Sequence, residues 1–327
     1  MKIKINQILR VLVCCIFIIP CSCSGTENSG NQNVPPDPVE KIPQKVILDT
    51  DMCLDVDDVG ALATLNALAD QDEAEILAVC FNEVHKSGAA AIDAINTWYH
   101  RGNIPVGIYK KSLYAPDSSP YLNALAGFPN DIPSDLAQVP DAHQVYIDVL
   151  NAQPDSSVKI ISLGFLNNLG DLLESHPELI ARKVKQLVIM GGLNNDDFNL
   201  VRHGLVETSQ KILTDWPTPI VISQPGSGIL TGETLESSPV NNPVREAYFR
   251  WFNNSFQGRP SWDQIAVLFT LKGTAYFNEI SVGTGSLKNG FSYDLVPGWR
   301  TYFTTKLSDQ EYAYIINNLM TKTPKSK

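Results

Sequence analysis

From Lys45 onward the chain alternates short apolar runs with segments of helical period, and that alternation narrows the possible folds more than any other feature. Residues 46–49, 76–80, 106–109, 158–163, 187–190 and 220–223 form near-continuous apolar runs, the pattern of strands buried on both faces. Between them, residues 58–69, 89–101, 142–150, 166–175 and 206–216 read as helices. Parallel strands need a crossover connection, and a helix is the usual one, so this rhythm predicts an α/β fold. The expected architecture is an open, mostly parallel, Rossmann-like sheet with helices on both faces. Residues 110–140 and 224–243, rich in Pro, Ser and Asn, read as excursions from the sheet, residues 244–256 and 262–270 as further helices, and the stretch after Tyr276 has no clear period. No internal repeat is visible, and a single domain over 45–327 accounts for the pattern.

The first strand runs into Asp49-Thr50-Asp51-Met52-Cys53-Leu54-Asp55-Val56-Asp57-Asp58, five carboxylates in ten residues. In an open α/β sheet ligands bind at the carboxyl ends of strands, where this cluster lies. Carboxylates crowded there repel one another unless a cation neutralises them, and an all-oxygen donor set suits a hard divalent ion, calcium before zinc. Four more polar groups follow later elements: Asn82; Gly164-Phe165-Leu166-Asn167-Asn168; Gly191-Gly192 with Asp196-Asp197-Phe198-Asn199; and Ser261-Trp262-Asp263-Gln264. A core requires none of them, and their common placement predicts convergence on one rim.

Asp49-Thr50-Asp51 with Asp57-Asp58, Val188-Ile189-Met190-Gly191-Gly192, Asp197-Phe198-Asn199, Trp216-Pro217-Thr218-Pro219-Ile220-Val221 and Trp262-Asp263 together resemble the inosine-uridine-preferring nucleoside hydrolase family. The resemblance runs from about Lys45 to about Gly273. It implies calcium-dependent cleavage of N-ribosides to ribose and free base. Carried over by position, it makes Asp51 a calcium ligand and the general base, and Asp58, Asp263 and the backbone carbonyl of Leu163 further ligands. It places Asp57 and Asn82 on ribose hydroxyls, with Asp197 and Asn199 holding the sugar from the other side. Trp262 stands where purine-preferring members stack an indole on the base, which leans the expectation toward purine nucleosides; a core tryptophan at a helix start is the competing reading. The acid loop is longer than the family's and lacks its Pro and Gly, leaving Asp55 as either an extra ligand or a loop-shaping side chain. The family's glutamate is here Asp197.

Residues 1–22 have the parts of a secretory signal, with Lys2, Lys4 and Arg10 ahead of the apolar core 11–19. The core is too short to span a membrane. Four of the six cysteines lie in or beside it, and Ser22-Cys23 resembles the end of a bacterial lipoprotein signal, which implies lipidation at Cys23, with Cys21 the lesser candidate. The expectation is an exported protein, anchored by lipid to the cell envelope through a flexible tether over 23–44 whose Ser, Gly, Asn and Pro cannot bury a core. Net charge is −10, and losing residues 1–22 removes three basic and no acidic residues, leaving −13. Such a surface repels nucleic-acid polymers, and the small-molecule nucleoside expected as ligand is what the family resemblance implies. A homo-oligomer stays open.

Cys53 and Cys80, the cysteines left in the domain, read as buried thiols. None of the five histidines has a recognisable ligand spacing, although His203 falls close to the Asp197-Phe198-Asn199 motif. Tyr248, Phe249, Trp251 and Phe252 read as core before base pocket. Two other functions compete. Asp49-x-Asp51 after a strand also suits a haloacid-dehalogenase phosphatase with Asp49 as nucleophile and magnesium bound, although Cys53 stands where Thr or Val is wanted. A surface-tethered nucleoside- or sugar-binding protein without turnover is the other alternative.

Overall fold

The computed structural model describes residues 42–191, 198–282, 284–286, 292–294 and 300–326. The signal, most of the tether, Cys23 and Asp197 lie outside the described residues. The six apolar runs are strands β1 (Gln44–Thr50), β2 (Ala74–Phe81), β3 (Val106–Ile108), β4 (Val158–Ser162), β5 (Val184–Met190) and β6 (Ile220–Ser223). They pair in the order β3-β2-β1-β4-β5-β6, every pair parallel. Strand order reverses between β1 and β4, and at such a switch point the crossovers leave to opposite sides and open a crevice.

After β6 come two short strands, β7 (Leu230–Thr231) and β8 (Arg259–Pro260), an antiparallel pair. The last four are β9 (Phe277–Val282), β10 (Thr284–Ser286), β11 (Ser292–Asp294) and β12 (Arg300–Thr305). β12 adds to β6 in parallel and β9 closes that edge antiparallel, completing an eight-stranded sheet from the stretch that had no legible period. The guanidinium of Arg300, 2% exposed, explains how a basic residue opens a buried strand. It donates to the carbonyls of Leu213, Thr214, Trp216 and Thr218, a helix C-terminus whose unpaired carbonyls favour a cation.

The helices are α1 (Asp57–Ala69), α2 (Gly88–Trp98), α3 (Leu122–Leu125), α4 (Ala142–Asn151), α5 (Asn167–Ser175), α6 (Pro177–Lys183), α7 (Phe198–Val201), α8 (Val206–Asp215), α9 (Pro243–Trp251), α10 (Trp262–Lys272) and α11 (Asp309–Met320). β1 shows how they divide, because successive side chains point to opposite faces. Val46 and Leu48 join the core made with α1, α2, α9, α10 and α11, while Ile47 joins the core made with α4, α5, α6 and α8.

Helix α1 is buried from Asp57 to Leu68, which accounts for its sequence being apolar all round: the sheet covers one side and α10 and α11 the other. A Cβ at Gly60 would lie 2.3 Å from Gln264 Nε2 and 2.5 Å from the Tyr248 hydroxyl. Glycine is therefore what lets α1 approach α9 and α10 so closely. Among the described residues no helix is long and apolar enough to cross a membrane.

Candidate active site at the switch point

The acid loop leaves β1 at Thr50 and re-enters order at Asp57, the first residue of α1. Asp57 and Asp58 occupy the first helical turn, where unpaired N–H groups favour negative charge. Thr50 Oγ1 donates to Asp58 Oδ1 and accepts from the Met52 N–H at 3.2 Å, which pins the start of the loop to its end. Asp263 comes from the first turn of α10, and the charge of Asp58 acts on its carboxyl to raise its pKa. Asp51 lies against Gly164, where a Cβ would sit 2.6 Å from Asp51 Oδ1. That close approach is why the β4 loop opens on glycine.

Asp51, Asp57, Asp58 and Asp263 line one cavity of about 200 Å³ at the β1/β4 switch point. Leu163, Asn199 and Trp262 are also on its wall, so the structure brings together seven of the residues singled out from the sequence. Burial, and then the charge of Asp58, holds the carboxyls of Asp51 and Asp263 well above the usual range. Burial and then Asp55 do the same to Asp57. Asp58 is pushed up to about 7, by burial first and Asp55 second. Two unit charges 4 Å apart repel by ~4 kcal/mol at an effective dielectric of about 20. Carboxylates at this density stay ionised together only beside a cation.

The donor set suits that cation. It is all oxygen, and Asp263 Oδ1 is buried without a hydrogen-bond partner, as are Asn199 Oδ1 and Ser223 Oγ on the same wall. The Leu163 carbonyl accepts from Asn199 Nδ2 at 2.5 Å, and a carbonyl has a second lone pair to offer. In donor chemistry, Asp51, Asp58, Asp263 and that carbonyl suit a hard divalent ion.

Arg259 is the site residue that sequence reasoning missed. From β8 its Nε reaches Asp57 Oδ1 at 3.1 Å and its Nη2 reaches Asp55 Oδ2 at 2.9 Å. Its guanidinium lies between two indoles, 5.0 Å from Trp251 and 5.1 Å from Trp262. Asp55 is thus paired with an arginine at the cavity edge, and the lengthened loop is held by its own counter-charge. Nothing in the spacing marks Arg259, which comes two hundred residues after the loop it clamps.

Asn82 is not on the cavity wall. It is fully buried, and its Nδ2 donates to Asp49 Oδ1 at 2.5 Å and to the Phe165 carbonyl at 3.0 Å. Asp49 is sealed on the opposite face of the sheet, accepting also from the Tyr146 hydroxyl at 2.7 Å and from Asn168 Nδ2 at 3.2 Å. A nucleophile must reach its substrate, so the phosphatase alternative with Asp49 as nucleophile fails on this geometry. Tyr248 is core, its hydroxyl paired with Gln264 Nε2 at 3.1 Å, and neither it nor Phe249, Trp251 or Phe252 lines the cavity. Cys53 and Cys80 are free, buried thiols.

The family model for inosine-uridine preferring nucleoside hydrolases matches residues 46–209. The chain belongs to that family. Its members are ribonucleoside N-glycosidases and metal-dependent, and the matched span holds Asp51, Asp57, Asp58, Asn82, Leu163 and Asn199 but ends before Trp262 and Asp263. No curated protein matches the sequence. Among solved structures, an inosine-guanosine nucleoside hydrolase is similar over 85% of this chain and 98% of its own, with a TM-score of 0.67 and 17% identity. A purine-preferring ribonucleoside hydrolase from Gardnerella vaginalis covers 85% and 99%, with a TM-score of 0.62 and 15% identity. An inosine-uridine preferring nucleoside hydrolase from Bacillus anthracis covers 85% and 99%, at 0.58 and 14%. These likenesses show the nucleoside hydrolase fold across the family member described here.

Proposed function

We propose that this nucleoside hydrolase family member cleaves purine ribonucleosides in preference to pyrimidine ones, with calcium held by Asp51, Asp58, Asp263 and the Leu163 carbonyl. The observation that carries the reading is the partnerless buried oxygen of Asp263, set with the buried carboxylates of Asp57 and Asp58 and the half-buried one of Asp51 on a wall that includes Trp262. A bound calcium ion supplies Lewis acidity toward water and a template for vicinal sugar hydroxyls. Asp51 accepts the proton of the attacking water, a contribution typically worth ~10²–10⁴ in rate. Breaking the bond to the base builds positive charge on the ribose, which the ring of carboxylates stabilises. Asp57 and the free Oδ1 of Asn199 accept from ribose hydroxyls, and the family resemblance assigns Asp197, outside the described residues, to the sugar as well. Asn82 acts one layer back, by holding Asp49 behind the loop. Trp262 stacks on the leaving base.

The test is ribose release from inosine, adenosine, guanosine, uridine and cytidine by the full chain, stripped of metal and then titrated with calcium. Activity should return with about one calcium per chain, as expected for a single oxygen-lined site. Trp262→Ala should narrow the purine-to-pyrimidine ratio of kcat/KM by about tenfold, the worth of one aromatic stack. If no ribonucleoside is hydrolysed, the surface-tethered binding protein takes this reading's place. We further propose cleavage after residue 22, acylation of Cys23, a tether to residue 44 and a single domain beyond it, placing the enzyme on the cell envelope. An unmodified N-terminus by mass spectrometry, or a soluble mature chain on fractionation, overturns that.

A further inference from the structure

Behind the wall that carries Asn199, three side chains from distant parts of the chain meet: Glu83 just past β2, Asp117 in the excursion after β3, and His203 in the turn after α7. One ligand-type atom from each lies within 4.8 Å of the other two. None of the three lines the cavity of the acid loop. The Glu83 side chain is fully buried and that of His203 is 2% exposed.

The histidine ring shows what the cluster lacks. His203 Nδ1 lies 2.6 Å from the Tyr114 carbonyl, and a carbonyl only accepts, so the proton is on Nδ1. In the neutral ring Nε2 then carries a bare lone pair. That atom is buried without a hydrogen-bond partner, 3.7 Å from Glu83 Oε2 and 3.7 Å from Asp117 Oδ2. A lone pair facing two carboxylate oxygens is repulsive unless a cation lies between them. Both separations exceed hydrogen-bond length, so a proton on Nε2 satisfies neither oxygen well. Ligands ~2.0–2.2 Å from a tetrahedral ion stand about 3.4 Å apart, close to the spacing seen. A ring whose other N–H is fixed on a backbone carbonyl is also how metal-binding histidines are oriented.

The remaining contacts leave the needed atoms available. Glu83 Oε1 accepts from the Val84 N–H at 2.6 Å and its Oε2 from the Asp117 N–H at 3.2 Å. Asp117 Oδ1 is taken by Arg202, which leaves Oδ2 toward His203. Two carboxylates and one arginine sum to a single negative charge, which a divalent ion reverses without a large excess.

We propose that Glu83, Asp117 and His203 form a second metal site, separate from the calcium-type site and suited by its imidazole to a zinc-class ion. The ion clips the excursion after β3 and the end of β2 to the turn that follows Asn199. It thereby steadies one wall of the active-site cavity from behind. The proposal does not depend on which ion, if any, the acid loop holds.

The test uses the full chain, stripped of metal, with the acid loop first saturated by millimolar calcium. Zinc titrated by calorimetry should then bind as about one further ion per chain. Cobalt(II) added to the unaltered protein in the same buffer should give the intense visible absorption of a tetrahedral site. Glu83→Gln and His203→Ala should each weaken zinc binding at least tenfold while calcium binding stays within twofold of the parent. Because a variant can fail to fold, the cobalt spectrum of the parent stands as an independent readout. No zinc binding above saturating calcium, an octahedral cobalt spectrum, or variants that bind zinc as the parent does would each overturn the site.

Discussion

Asp49 and Asp51 stand two residues apart at the end of the same strand, the first fully buried and the second half-buried on the cavity wall, and their surroundings are opposite. Asp49 faces the α4 side, where Tyr146, Asn82 and Asn168 all donate to it. Asp51 faces the cavity, where its neighbours are Asp58, Asp55 and Asp57, and each of them raises its pKa further. One carboxylate is buried and answered by donors; the other is half-buried among its own kind. Burial alone therefore says little about function. A buried carboxylate set among acids, beside an oxygen with no partner, marks a binding site, whereas one set among amide and hydroxyl donors marks a structural anchor.

The largest test of that contrast is to neutralise Asp51. Asp51→Asn keeps an oxygen for the metal but cannot take a proton, so turnover should fall by about 10² or more with part of the calcium affinity retained, and added calcium should not restore it. Asp263→Ala should behave differently, losing calcium affinity and recovering part of its activity in excess calcium. Steady-state kinetics across a calcium titration separates the two. If Asp51→Asn turns over as the parent does, the contrast assigns the wrong carboxylate to chemistry.

A second test uses pH. Asp58 and Asp49 are both raised by burial to about 7 in the metal-free chain, against an unfolded value of about 3.9. As pH rises, the unfolded chain releases these protons first. The stability these two groups contribute to the metal-free chain is thus full below about pH 4 and is lost as pH rises through 7, by on the order of a few kcal/mol per group. Calcium should cancel the share owed to Asp58 and leave that of Asp49. Urea midpoints at pH 4.5 and 7.5, in chelator and in calcium, check this; a metal-free midpoint that rises with pH contradicts it.

The smallest effect is expected on the anchored side. Tyr146→Phe removes one donor from Asp49 and should cost ~1–3 kcal/mol of stability, the usual penalty for an unsatisfied buried acceptor. Calcium affinity should stay within about twofold. A loss of calcium affinity as large as that of Asp263→Ala would mean that the two carboxylates act as one unit.

The six central strands were legible because strands covered on both faces must be continuously apolar, and nothing else in a chain of this composition looks like that. β12 was not, because Arg300-Thr301-Tyr302-Phe303-Thr304-Thr305 lies near the sheet edge and shows neither a continuous apolar run nor an alternation, and its buried arginine has partners that are backbone carbonyls invisible to any side-chain pattern. The acid loop announced itself by its crowded carboxylates, whereas Asp263 could be paired with it in advance only through the family resemblance. Asn82 was placed at the correct strand end, but pattern does not show which way a side chain turns, and it turns inward to Asp49. Arg259, Glu83 and Asp117 left no signal, and His203 stood out among the histidines without a role, because each finds its partners only through tertiary contacts.

Arg259 and Asp263 also set an order of events. The arginine closes on Asp55 and Asp57 across separations of 204 and 202 residues, while the strands β1 to β6 precede it in the chain. As synthesis proceeds, the acid loop emerges early and remains without its counter-charge until the last quarter of the polypeptide arrives. Contacts this far apart form slowly, since the connecting loop must be ordered before they contribute anything. A fragment ending before β8 contains every strand of the parallel core up to β6 and lacks both the arginine and the final ligand. Completion of the proposed metal site is thus a late event in the life of the chain, with only β9 to β12 and α11 still to follow.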